Sequence, residues 1–185
     1  MRPTDTLKHE HQIIFLVLDA AQREAASIEA SRKIDAAAVG RLVDFFRNFA
    51  DRCYRARDEG HLFKAIERRG FLIEGGPIAV MLPEHEEGRR RIAAAASDME
   101  KASAGDPQAV RAVRENLLAY VALLRQHIEK EDTVLYVMAD RVLTEQDQDE
   151  LAEAVEKVEA EEVGRGVHKK YHQLAHELSK AHDSP

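Results

Sequence analysis

The sequence predicts an all-α fold: an antiparallel four-helix bundle with an additional C-terminal helix. Three observations carry that expectation. Apolar residues recur at spacings of three and four over long stretches, which is the period of one helical face. Gly and Pro, nine and five in number, are few and sit in bunches that mark the breaks. No alternating strand pattern runs longer than a few residues. Long amphipathic helices joined by short polar loops pack as an up-and-down bundle.

The first helix begins near Thr4–Asp5, residues suited to an N-cap, and points Leu7, Ile14, Phe15, Leu18, Ala21, Ala25 and Ile28 inward. The segment SRKIDAAAVG interrupts it. A second helix runs from about Ala36 to Ile66, with Leu42, Val43, Phe46, Phe49, Ala50 and Cys53 inward, and ends at Gly70. FLIEGG reads as a loop. Pro77 opens the third helix at a first-turn position, where its missing N–H costs nothing. Its stripe is Ile78, Met81, Leu82, Ile92, Ala96 and Met99. SAGDP ends it, and Asp106 caps the fourth, which carries Val110, Val113, Leu117, Val121, Leu124, Leu135 and Met138. Thr144 is placed to cap a fifth segment with Leu151, Val155 and Val158 on one side. GRG at 164–166 breaks that segment, and VHKKYHQLAHELSKA forms a last helix. Residues 1–142 are thus expected to form the bundle and residues 143–185 a helical extension packed on it.

The 185 residues suit one domain plus an appendage. The net charge of −7 argues against a nucleic-acid partner, which would need clustered Lys and Arg. Cys53 is the single cysteine, so there is no disulfide framework and no cysteine-rich zinc site. MRPTDTLKHE has no apolar run of a signal peptide, and no stretch approaches a membrane span, so no membrane partner is expected and the protein reads as cytoplasmic.

Histidines occupy positions where a bundle would carry leucines. His11 lies between Leu7 and Ile14, His85 three residues after Leu82, and His127 three after Leu124, with Glu131 four beyond it. In the second helix the inward line runs Phe46, Ala50, Tyr54, Asp58 and then His61. Residues four apart are neighbours on a helix surface, so His127 and Glu131 can reach one point, as can Tyr54 and Asp58. One histidine on an apolar stripe is usually a core residue with a hydrogen bond. Such residues on all four helices, near one depth, need a positive charge among them, because a buried unpartnered carboxylate costs several kcal/mol. Carboxylates, imidazoles and a phenolate suit iron or manganese.

The segments KHEHQII, FADRCYRARDEGHLF, GGPIAVMLPEHEEGRR and LLRQHIEKEDTVLY, in order over residues 5–140, resemble the hemerythrin-like (HHE cation-binding) family, and in particular its mycobacterial members. The resemblance implies a four-helix bundle holding two iron ions bridged by oxygen and carboxylates. It implies His11, His85, His127 and Glu131 as ligands. In the second helix the family motif is CHHxKEE, whereas this chain reads CYRARDE. Tyr54 stands where a histidine is expected, Asp58 where a glutamate is, and Glu59 is the other acid. A phenolate is hard and electron-donating, so it favours ferric over ferrous iron and counts against an oxygen carrier. Position 89 is Arg89, so the second third-helix histidine of the oxygen carriers is absent.

The resemblance further implies a catalase-like activity on hydrogen peroxide, with Tyr54 as phenolate ligand or proton donor. Its alternative is a module that binds oxygen, nitric oxide or iron without turnover. His168 and His172, four apart on the last helix, suggest that the tail folds over the open end and contributes His168 as a ligand or a cover. Glu10, Glu84 and Glu86, adjacent to expected ligands, are expected to face outward.

Overall fold

Helix starts in this chain are set by residues that can occupy or satisfy free N–H groups. The computed structural model describes residues 2–53, 58–71, 74–158 and 166–180, apart from the side chains at 52, 53, 58, 59 and 158. Helix α1 (Pro3–Ser31) opens one residue before the expected cap, because Pro3 is already set for the first helical position and the Arg2 N–H is taken by Asp5 Oδ2 at 3.0 Å. Thr4 is instead buried, its hydroxyl donating to Asp140 Oδ1 at 2.8 Å. The helix stops where Arg32 turns left-handed at φ 58°. Asp35 caps α2 (Ala36–Phe45) by accepting from the N–H groups of Ala37 and Ala38.

The second rod is not one α-helix as the periodicity suggests. Beyond α2 the backbone widens into π-helical turns, π1 (Phe46–Cys53) and π2 (Asp58–Leu62), and returns to α-helix in α3 (Phe63–Arg68). Helix α4 (Pro77–Ser103) has Pro77 in its first turn. Gly105 makes the turn out of it at φ 91°, a backbone conformation that costs glycine little, and Asp106 caps α5 (Pro107–Lys130). A third π segment, π3 (Glu131–Leu135), joins α5 to α6 (Tyr136–Val142). Such turns, with i→i+5 hydrogen bonds, are rare and collect at functional sites.

Helix α4 runs along α5, α5 packs on α1, α1 on α2, and α2 with π1 closes the ring against α4. The enclosed core includes Leu7, Ile14, Leu18, Leu42, Phe46, Ile92 and Leu117, as the apolar stripes predict. Phe15 and Leu124 are only partly buried.

Thr144 and Asp147 exchange backbone and side-chain hydrogen bonds at the start of α7 (Glu145–Val158), which buries Leu151 and Val155. Helix α8 (Val167–Lys180) lies against α1 and α2, burying Tyr171, Ala175 and Leu178, with Val167 and Leu174 partly covered. No strand occurs among the described residues, and no helix among them is long and apolar enough to cross a membrane.

Candidate metal centre

Four of the expected ligands meet inside the bundle. His11 of α1 and Glu131 of π3 are fully buried, His127 of α5 is 2 % exposed, and His85 of α4 is half-buried. The Glu131 carboxylate stands between two histidines. Its Oε2 is 3.2 Å from His11 Nε2, and its Oε1 is 3.0 Å from His127 Nε2. On the other side His127 Nε2 faces His85 Nε2 at 2.9 Å. His85, His127 and Glu131 thus each bring a ligand atom to one small volume.

The rings are held from behind. His11 Nδ1–H donates to Asp132 Oδ1 and His127 Nδ1–H to Glu84 Oε2, each at 2.8 Å. A proton fixed on Nδ1 leaves Nε2 as the atom that faces inward, and a carboxylate behind the ring raises its basicity. Tyr136 stacks on His11 with ring centroids 5.7 Å apart, and Phe63 lies parallel to His85 at 6.5 Å. The Lys130 ammonium pairs with Glu84.

Local sequence sets these positions. Pro83, inside α4, cannot donate to the carbonyl one turn back, so the ladder is broken immediately before Glu84 and His85. At the end of α5 the π turn places consecutive acids, Glu131 and Asp132, on the two nitrogens of one ring, His11.

The electrostatics follow from this enclosure. Burial alone would lower the pKa of His11, but hydrogen bonds and charge from Asp132 and Glu131 outweigh it and raise the value to about 9. His127 is likewise raised against its burial, by Glu131 and Glu84. Burial would push Glu131 up, yet His127 and His11 hold it well below the usual carboxylate range. Glu131 is therefore an ionised carboxylate, and His11, raised to about 9, carries at neutral pH a proton on the nitrogen that faces it. A metal cation can replace that inward-facing proton, and nitrogen and carboxylate oxygen donors fit iron well.

Two expectations are corrected. Glu84 does not face outward; it accepts from His127. Glu10 is 3 % exposed, and its Oε1 takes His168 Nε2 at 2.9 Å. Only Glu86 of the three is exposed, paired with Arg89. Asp132 was not singled out by sequence. The signal that finds it and Glu84 is chemical: a ligating imidazole needs an acceptor for its other nitrogen, and both acids sit beside expected ligands.

Tyr54 falls outside the described residues. Asp58 and Glu59 lie on the π2 backbone, and their side chains are outside the described set. His168 meets Glu10 on the outer side of α1, with Phe49 5.4 Å and His172 4.2 Å away between ring centroids. His61 lines a cleft against α7 with Lys64 and Glu150.

A family model, the hemerythrin HHE cation binding domain, matches residues 2–139. Among curated proteins, "Uncharacterized protein Mb2018" of Mycobacterium bovis and "Uncharacterized protein Rv1995" of Mycobacterium tuberculosis are each 23 % identical to the chain over 163 residues. Each match covers 86 % of this chain and 62 % of the relative, so the chain spans less than two thirds of the proteins it matches. No solved structure matches. The family match includes all three helices that converge on Glu131, and the chain belongs to the hemerythrin HHE cation-binding family.

Proposed function

We propose that this domain holds two iron ions and disproportionates hydrogen peroxide. The observation that carries the two-metal reading is the Glu131 carboxylate, whose two oxygens address different histidines, His11 and His127. A carboxylate so placed is suited to bridge. His11, His85 and His127 would be the nitrogen donors. Tyr54, Asp58 and Glu59 would supply the second rod's share, with Tyr54 also a donor or acceptor of protons to substrate. His168, through Glu10 beside His11, would cover the centre's outer edge rather than bind metal.

Iron held by His11, His85, His127 and Glu131 would supply two-electron redox chemistry, with one peroxide oxidised to oxygen and a second reduced to two waters by the two electrons and two protons the first releases. The chain's own contribution is positional and electrostatic. Asp132 and Glu84 hold the ring protons on Nδ1 and keep Nε2 turned inward. His127 and His11 hold the Glu131 carboxyl well below the usual carboxylate range, so it is ionised at neutral pH. The stacked Tyr136 and Phe63 rings and the buried Ile128 and Leu135 exclude bulk water. Arg89 in place of a third-helix histidine leaves a nitrogen-poor centre, which favours redox turnover over oxygen storage.

Elemental analysis with an oxygen electrode tests this reading. The expected result is about two irons per chain and prompt oxygen release on adding peroxide. A phenolate-to-iron absorption band lost in Tyr54→Phe would support Tyr54 as a ligand. One zinc and no iron would overturn the proposal. A second reading, reversible binding of oxygen or nitric oxide without turnover, is supported by the family description itself, which specifies cation binding and no reaction. A reversible spectral change with those gases and no oxygen release would select it.

A further inference from the structure

Two cavities that share lining residues lie between α4, α5 and π1, one of them against His85 and His127. The inner one, ≈ 30 Å³, is bounded by Glu84, His85 and His127. That is room for about one or two water-sized molecules. The outer one, ≈ 230 Å³, is lined by Phe46, Ile92 and Tyr120, with Arg47 and Ala93 exposed at its rim. Asp51, Gly88, Arg89 and Tyr120 border both.

Two features control the junction. Gly88 lies one turn after His85 and is buried, and a Cβ there would come within 3.3 Å of Tyr120 Cε2 and 3.8 Å of Leu123 Cδ2. The absent side chain is what leaves the width between α4 and α5. Across the same point Arg89 Nη1 donates to Asp51 Oδ1 at 3.1 Å, tying α4 to π1. This pair is partly exposed, at 24 % and 29 %, so it is held only modestly. Arg89 also pairs with Glu86 on its own helix, so the guanidinium keeps a carboxylate when it leaves Asp51. Opening therefore strands no positive charge.

We propose that this passage, narrowed at Gly88 and Tyr120 and closed by the Arg89–Asp51 ion pair, is the entry route to the centre for ligands of two or three heavy atoms. Hydrogen peroxide and azide fit that class, and bulky organic peroxides do not. The inference rests on the His11–His85–His127–Glu131 group being a metal centre, and not on peroxide turnover.

Azide binding to the iron-loaded protein, followed by stopped-flow absorption, tests it. Arg89→Ala and Asp51→Ala should raise the association and dissociation rates together by roughly fivefold, with Kd within about twofold of the parent. Gly88→Leu, or Ala93→Phe at the rim if the first fails to fold, should slow both by roughly tenfold. Association rates within about twofold of the parent in variants of unchanged iron content would overturn the route. Should the parent protein take up no iron, the metal reading fails by itself, and metal-free protein still tests the passage. Ala50 lines the inner cavity, so Ala50→Cys in a Cys53→Ala background reports access by its rate of labelling with methyl methanethiosulfonate. Labelling should speed up with Arg89→Ala and slow with Ala93→Phe. A rate indifferent to both would overturn the route without reference to iron.

Discussion

Two pairs of residues spaced by four, His127/Glu131 in the bundle and His168/His172 on the last helix, share a helical register and differ in almost everything else. Each nitrogen of the His127 ring meets a carboxylate oxygen, and His11 is served in the same way. In the tail His168 has Glu10, while His172 Nε2 is buried with no hydrogen-bond partner among the described residues. His172 is accordingly lowered in pKa, by burial and then by the His168 charge, whereas His11 and His127 are raised. The same four-residue spacing brings a carboxylate to both ring nitrogens only in the bundle, where Glu131 meets Nε2 of His127 and α4 delivers Glu84 to its Nδ1.

The largest effect should come from breaking the bundle set at its centre. Glu131→Ala removes the carboxylate between His11 and His127 and should abolish stable metal binding. It should also cost about 3–5 kcal/mol in the metal-free protein, as loss of one member of a buried charged group does. Metal analysis and denaturant unfolding measure both, and full loading with unchanged stability would refute the central placement.

Removing the support behind a ring should do less. Glu84→Gln or Asp132→Asn should keep metal and lower its affinity by about 10–100-fold, as outer partners of ligating histidines commonly do. Competition with a chelator gives the number. His168→Ala should leave metal content unchanged and loosen α8 on α1, read as faster hydrogen exchange in residues 167–180. Loss of metal in that variant would move His168 into the ligand set.

pH separates the pairs again. In metal-free protein the raised His11 stabilises the fold fully below its ordinary value of 6.5, and that contribution is lost as pH rises through about 9. Metal should abolish this loss, because the inward proton is then already gone. Unfolding midpoints between pH 6 and 10, with and without metal, would show it. The smallest effect is expected at His172→Leu, within about 1 kcal/mol of the parent, since the ring already lacks a hydrogen bond at Nε2.

Much of this was legible in the chain. Apolar spacing predicts the buried stripes of α1, α4 and α5, and Asp106 and Thr144 mark helix starts by residue type alone. Histidines at leucine positions point to His11, His85 and His127. Those signals are local, because burial period and capping depend on residues within a turn or two. What spacing could not give is partner identity. Glu10 and Glu84 were expected in solvent because each adjoins an inward histidine, and adjacent helical residues diverge by about 100°. That divergence turns Glu84 toward α5 and Glu10 toward α8, where other helices happen to stand. The π turns are likewise invisible in the apolar period, which reads the same across them.

By itself, then, the sequence determined an all-α bundle, the helix that carries each histidine, and the family to which the chain belongs. The tertiary structure alone decided that Glu131 stands between two rings, that Asp132 and Glu84 back them, and that Arg89 meets Asp51. The reason is physical. Helix period fixes a side chain's direction from its own axis, but a hydrogen bond across the bundle depends on how far two axes approach and slide. That is set by the packing of every side chain between them.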